Sequence, residues 1–406
     1  FTPDSAGVFT DEVFYGGLIV RHDTKDYPEL VIMRNGVKME TRFLSNYRNA
    51  IKYKIDDNFS YKLFWRPLAN KLTDISKVYL SPDGVFNQIS INTLKNPETG
   101  KFIIDEMEVH LVTNTKDLLA SATNGKSGPS YLFGYPNYNL GNMEKEENKN
   151  EDDGRSLSGS RSGSSSTIPL SRGGTIPRGL RGNLLRYMRS NQMLALLPGT
   201  KKEVNLIDSL YRTKSEETVI YMSNDALEEN LKDASNPKVL HIATHGFFLE
   251  NELDNQDYEE DSYMENPLLR AGLILAGANS FISTGQISNA DKYQEDGILT
   301  AYEAMNMKLD HTDLVVLSAC ETGLGEIKNG EGVYGMQRAF KVAGADAIIM
   351  SMWTVDDAAT QELMTLFYEE WLSGKPKYES FVEAQRRLKE KREAPYYWGA
   401  FVMIGN

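Results

Sequence analysis

Cysteine is almost absent from this chain: Cys320 is the single one among 406 residues. That excludes an internal disulfide and any zinc or iron–sulfur site built on several thiolates. Histidine is scarce too, at five residues. No apolar run approaches the ~18 residues of a membrane-spanning helix, and no segment has the layout of a signal peptide. The expected compartment is therefore the cytoplasm, with no membrane contact. The sequence also lacks an initiating Met, opening Phe1–Thr2–Pro3, which reads as a fragment or a processed product. Positive charge is in deficit, with 44 Lys and Arg against 57 Asp and Glu and a net charge of −13. Such a balance disfavours general nucleic-acid binding. What is present is an ordinary globular composition, 40% hydrophobic and 25% charged. The chain is long enough for one large core or two lobes.

Apolar alternation predicts strands over Val13–Val20 and Leu30–Met33, and helical spacing predicts helices over Lys38–Lys52 and Tyr61–Lys71. A strand Lys77–Leu80, a short helix around Asp117–Ala122 and a strand Tyr131–Tyr135 complete an N-terminal lobe of mixed α/β type, residues 1–140. The composition then changes. Glu144–Asp153 has no apolar side chain, and Gly154–Gly182 is almost entirely Ser, Gly, Arg, Thr and Pro. Residues 141–190 cannot bury enough apolar area to offset backbone entropy and are expected to form a flexible insert. Its arginines Arg155, Arg161, Arg172, Arg178 and Arg181 belong either to a solvated linker or to a loop with basic cleavage sites.

Residues 191–406 read as a second lobe. Thr200 and Glu203 are spaced as a capping box for a helix carrying Val204, Ile207, Leu210 and Tyr211. Strands Thr218–Met222, Val239–Ala243, Leu314–Ser318, Ala347–Ser351 and Ala400–Ile404 alternate with helices Asp225–Lys232, Gly332–Ala343, Asp357–Leu372 and Tyr378–Lys389. The strands are apolar on both faces and the helices on one stripe. This pattern predicts an α/β fold with a mostly parallel sheet flanked by helices.

Open parallel sheets place their chemistry at the carboxyl ends of strands. Val239–Ala243 runs into Thr244–His245–Gly246, and Leu314–Ser318 runs through Ala319 into Cys320. A thiol with an imidazole partner is a nucleophile and base pair, and the Gly246 and Cys320 N–H groups could hold an oxyanion. The alternative is a buried strand-end cysteine and a loop histidine. His241, inside its strand, is expected to be structural. The His241–His245 spacing lacks the glutamate of a zinc peptidase helix, so no metal is expected. Gly330–Gly335 fits G-x-G-x-x-G before a helix, but the preceding strand ends near Ala319, about ten residues too early for a dinucleotide site. No cofactor is expected.

The segments Val239-Leu-His-Ile-Ala-Thr-His-Gly-Phe-Phe248 and Leu317-Ser-Ala-Cys-Glu-Thr-Gly-Leu-Gly325 closely resemble the His and Cys motifs of CHAT domains. Ser351-Met-Trp-Thr-Val-Asp-Asp357, Pro267–Leu273, Asp296–Thr300 and Leu197–Thr200 fit the same pattern, and the resemblance runs from about Leu80 onward, apart from the insert. CHAT domains are caspase-like cysteine peptidases related to separases and gingipains. The resemblance implies a His245–Cys320 dyad and an N-terminal lobe that is a degenerate partner of the catalytic sheet. It further implies upstream tetratricopeptide repeats, an activating partner, a protein substrate, a bacterial setting and, in some members, a role in antiphage defence.

Beside the dyad, Trp353 would form a pocket wall, and Asp356 or Asp357 would read a Lys or Arg at the cleavage position. The competing reading has Asp357 capping the next helix and Asp356 as a surface acid. The acidic run Glu250–Asp261 is either a solvated loop or a regulatory one. A regulated endopeptidase is the leading functional expectation, and a catalytically silent caspase-like scaffold is the alternative.

Overall fold

The computed structural model describes residues 12–119, 128–141, 195–249, 266–284, 295–319, 322–323, 325–328 and 332–405. The 141–190 insert and its five arginines lie outside them, apart from residue 141, as do Cys320 and the whole acidic run Glu250–Asp261. In chain order the strands are β1 (Tyr15–Ile19), β2 (Glu29–Met33), β3 (Lys77–Leu80), β4 (Glu108–Leu111), β5 (Ser130–Pro136), β6 (Thr218–Ser223), β7 (Val239–Ala243), β8 (His245–Phe248), β9 (Ala271–Ile274), β10 (Ile298–Thr300), β11 (Leu314–Ser318), β12 (Glu326–Lys328), β13 (Gly332–Tyr334), β14 (Ala347–Ser351) and β15 (Phe401–Gly405). The helices used below are α1 (Leu44–Tyr53), α2 (Pro198–Thr213), α3 (Glu228–Lys232), α4 (Met336–Val342), α5 (Asp357–Leu372) and α6 (Lys377–Lys391). The architecture is α/β, a largely parallel sheet flanked by helices with a smaller N-terminal sheet, as the sequence pattern predicts.

The chain divides into two compact units. One comprises residues 1–124, 327–333 and 349–406, the other residues 125–326 and 334–348. In the first, β1 and β2 pair antiparallel, and β3, β4 and β15 run parallel in that order. Val31 and Met33, on the inner face of β2, join Tyr47, Phe64, Trp65, Val85 and Ile103 in one apolar cluster. The outer face of the same pair shows Leu18, Leu30 and Ile32 to solvent, because the period of a strand is two residues. Helices α5 and α6 carry apolar stripes that include Leu363, Phe367, Phe381 and Leu388, all buried.

In the second unit the order β11, β7, β5, β6 is parallel throughout. Every residue of β7 and β11 is buried, so both read in the sequence as unbroken apolar runs. Helix α2 packs against β5 at Gly134. A Cβ there would come within 2.6 Å of Val204 Cγ2, so the glycine sets how closely the helix approaches. Just past α4 comes Gly344, with φ +108°, where a Cβ would come within 2.7 Å of the Asp310 backbone.

Three expectations need correction. Thr200 and Glu203 do not cap α2. The helix begins at Pro198, whose missing N–H suits the first turn, and both residues are buried inside it. The helix expected from Gly332 begins at Met336, because Gly332–Tyr334 is a strand paired with β12. Between the expected strands ending at Ala243 and starting at Leu314, where no strand was expected, lie β8, β9 and β10, an antiparallel sheet whose strands are only three or four residues long. Of the helix expected near Asp117–Ala122, a 3-10 turn Thr115–Leu119 is present and the remainder lies outside the described residues.

Candidate active site

The register of the parallel sheet aligns three strand ends. Gly134 of β5 lies opposite Ala243 of β7, and Ala243 lies opposite Ser318 of β11. Beyond that common rung come Tyr138 after β5, Thr244 and His245 after β7, and Ala319 after β11. The Thr244 N–H extends the pairing by donating to Ser318 O at 3.3 Å. In the sequence, His245 and Cys320 each stand two residues past the last paired residue of adjacent strands.

His245 is held on several sides. Its Nε2 lies 2.9 Å from the Ala195 carbonyl oxygen. A carbonyl only accepts, so Nε2 carries the proton of that bond, and Nδ1 is the basic nitrogen of the neutral ring. The imidazole packs beside Tyr138, with ring centroids 5.3 Å apart and planes at 42°. The Tyr138 hydroxyl accepts from the His245 backbone N–H and stands 3.0 Å from Thr244 Oγ1. Thr244 Oγ1 in turn donates to Ile274 O of β9. Tyr138 is therefore the donor toward Thr244. Burial pushes its hydroxyl up to about 12, so it remains a neutral phenol at physiological pH.

Gly246 is buried on β8 opposite Leu273 of β9. Cys320 lies outside the described residues. On either side of it, Ala319 and Thr322 are buried, with Thr322 Oγ1 3.4 Å from Ala319 O.

The expected specificity residues belong to the first unit. Trp353 is half-buried against its apolar cluster and donates Nε1–H to Tyr396 O at 3.1 Å. Asp356 caps α5: its Oδ1 accepts from Ala359 N–H at 2.8 Å and lies 3.8 Å from Arg392 Nη1. Asp357 is the first helical residue, so the cap is one position earlier than the competing sequence reading placed it.

His241 is fully buried, its Nε2 2.9 Å from Glu203 Oε1 on α2. Gly330 and Glu331 of the G-x-G-x-x-G match lie outside the described residues, and Gly332 is in a strand.

Among the described residues one group has the makings of a metal ligand set: Glu228, Glu295 and Glu303 present carboxylate oxygens within 4.8 Å of one another. Lys232 Nζ lies 2.6, 3.1 and 3.0 Å from these three. The ammonium is itself the cation of this cluster.

Sequence reasoning missed Tyr138 and the Ala195 carbonyl. A backbone acceptor leaves no residue-type signature. Tyr138 is one of 21 tyrosines, and only the β5–β7 register brings it to His245.

Residues 60–406 match the family model described as CHAT domain. Two curated relatives are each named Tetratricopeptide repeat protein 28. The mouse protein is 30% identical over 111 residues and the human protein 29% over 111, which is 27% of this chain in both cases. The chain spans 4% of the length of these relatives. A crystal structure of the Arg-specific cysteine proteinase gingipain R aligns over 92% of this chain and 68% of its own, at 10% identity and a TM-score of 0.40. A complex of the pro- and mature domains of Porphyromonas gingivalis RgpB aligns over 50% of this chain and 42% of its own, at 11% identity and a TM-score of 0.30. No helix among the described residues is long and apolar enough to cross a membrane. With the family model covering everything from Tyr61 and its neighbour Ser60 to the last residue, the chain belongs to the CHAT domain family.

Proposed function

We propose that this chain is a regulated cysteine endopeptidase working through a His245–Cys320 dyad. The observation that carries the reading is the β7–β11 register, which ends both strands on one rung with His245 and Cys320 each two residues further on. The donation of His245 Nε2–H to Ala195 O adds to it, because that bond leaves Nδ1 to take the thiol proton.

In the reaction the Cys320 thiolate attacks the scissile carbonyl while the imidazolium holds the proton. The tetrahedral oxyanion is received by the Gly246 and Cys320 N–H groups. Collapse expels the amine, which leaves with the proton from His245, and an acyl-enzyme remains. His245 then deprotonates water, which hydrolyses the thioester and restores the thiol. The Ala195 carbonyl accepts from Nε2–H throughout and holds the ring in place.

Specificity for a basic residue is assigned to Trp353, Asp356 and Asp357. Asp356 caps α5 through Ala359 N–H, and Asp357 follows it as the first helical residue. The insert arginines Arg155, Arg161, Arg172, Arg178 and Arg181 are then candidate self-cleavage sites. Upstream tetratricopeptide repeats, an activating partner and a role in bacterial defence belong to the same proposal, as does a cytoplasmic setting. The names of the curated relatives support the repeats.

The test is intact-mass analysis of the chain beside Cys320→Ala, each mixed with proteins encoded next to its gene. Fragments that form only with Cys320 and end after Lys or Arg are expected. Cuts after uncharged residues would remove the basic preference. No Cys320-dependent fragment with any partner would favour the silent scaffold.

A further inference from the structure

We propose that the buried Glu203–His241 pair is a positioning device for His245, an inference that rests on the peptidase reading for its catalytic meaning. Neither side chain is more than 1% exposed, and His241 Nε2 lies 2.9 Å from Glu203 Oε1. A polar pair so deep in a core is costly to desolvate, and apolar residues of similar volume would commonly stabilise as well or better. What such a pair supplies is direction and spacing.

The two residues belong to the two arms that meet at His245. His241 lies on β7, four residues before His245. Glu203 lies on α2, and the segment entering that helix carries Ala195, whose carbonyl receives His245 Nε2. Within the entry, Thr200 Oγ1 donates to Leu197 O at 2.8 Å and accepts from Tyr135 N–H at 3.0 Å. These bonds, with Val204 against Gly134, tie α2 to the β5 side. The Glu203–His241 bond ties it to the strand that leads into His245. The contacts form a closed circuit: β7, His241, Glu203, the α2 entry, the Ala195 carbonyl, and the His245 ring at the end of β7.

The spacing matters because hydrogen bonds tolerate little displacement. A helix moved along its axis by one residue shifts by about 1.5 Å. A displacement of that size along the bond carries Ala195 O from 2.9 Å to beyond bonding range of Nε2. The ring would then lose its preference for the Nε2–H tautomer, and with it the basic Nδ1 that the proposed chemistry uses. Glu203 and His241 touch no reacting atom in this scheme. They act through the helix entry and the Ala195 carbonyl.

The test reads the ring nitrogens directly. With five histidines in the chain, long-range proton–nitrogen correlation spectra can be assigned by single substitutions, His245→Asn marking the signal of interest. The wild-type chain is expected to show His245 as the Nε2–H tautomer. Glu203→Gln keeps arm length and a hydrogen-bonding head, and is expected to preserve that signal. The pair Glu203→Leu with His241→Leu, folded by thermal melt, is expected to show a mixture of tautomers. Its Cys320 should be alkylated roughly tenfold more slowly at pH 7. If the leucine pair does not fold, Glu203→Asp, one methylene shorter, is expected to shift the same signal. An unchanged His245 tautomer in the folded leucine pair, or in Glu203→Asp where that is the variant used, overturns the proposal. Because the nitrogen readout needs no turnover, absence of proteolysis with the tautomer coupling intact would sink the peptidase reading alone.

Discussion

Lys232 lies among three carboxylates, Glu228, Glu295 and Glu303. Burial pulls its ammonium toward neutrality, but Glu228 and Glu303 more than offset this and hold it charged well above its ordinary range. Burial, reinforced by Glu303, pushes Glu228 from 4.5 to about 7 even with Lys232 beside it, and Asp296 is raised well above its ordinary value by burial and by Glu228. Glu228 Oε2 also accepts from the Gly297 and Ile298 N–H groups, at 2.9 and 3.0 Å, so the cluster fixes the start of β10. Lys232→Met would leave these carboxylates crowded without their cation. It should cost about 3 kcal/mol in urea unfolding at pH 8 and less at pH 5, where the acids can protonate. Glu228 has its own signature. A carboxyl group whose folded pKa is raised keeps its proton in the folded chain over a window where the unfolded chain has lost it. Stability therefore falls as pH rises from about 4.5 to 7, then levels off. The stability difference between wild type and Glu228→Gln should decline across that window. A flat difference would show that Glu228 is not buried as the fold has it.

At the scale of elements, local chemistry decides where helices start, and here the sequence is only partly legible. The spacing of Ala359, Leu363, Leu366 and Phe367 gives α5 its full extent, because these residues are buried along one stripe. The cap was assigned one residue late because Asp356 and Asp357 are the same residue type, and only backbone geometry separates them: Asp356 is extended at ψ 123°, outside the helix. Asp356→Ala removes the acceptor for Ala359 N–H and should cost about 1 kcal/mol by chemical denaturation. Asp357→Asn should reduce cleavage after Arg more than after an uncharged residue, if Asp357 reads the substrate. Equal loss on both substrates would assign Asp357 to the helix alone. The Thr200–Glu203 pair misleads for the opposite reason. Its spacing fits a cap, but both side chains have stronger long-range partners, Tyr135 N–H and His241, that no local pattern reveals. The β8–β10 sheet stayed hidden because strands of three or four residues offer too little alternation to detect.

Across the whole molecule, the parallel strands were legible because strands buried on both faces show as unbroken apolar runs. β7, β11 and β14 fall where those runs predict. The ends of β7 and β11, and with them the place of His245, were legible for the same reason, since a strand end is visible wherever an apolar run stops. What surrounds His245 was not, because Tyr138 and Ala195 are brought there by register and by helix docking. Net charge acts at this scale too. At −13 the surface repels itself at low ionic strength, where the screening length is about 30 Å in 0.01 M salt and falls to about 8 Å at 0.15 M. The melting temperature of the wild-type chain should therefore rise between those two salt concentrations. The Lys232 cluster should behave differently. Glu228 is 1% exposed and Lys232 21%, so salt reaches their pairing poorly. The destabilisation by Lys232→Met should then be the same at both salt concentrations, within about 0.5 kcal/mol, while the wild-type baseline moves. A Lys232→Met penalty that shrinks in step with added salt would mean that solvent enters the cluster, and that the elevated Glu228 owes its shift to neighbouring charge more than to burial.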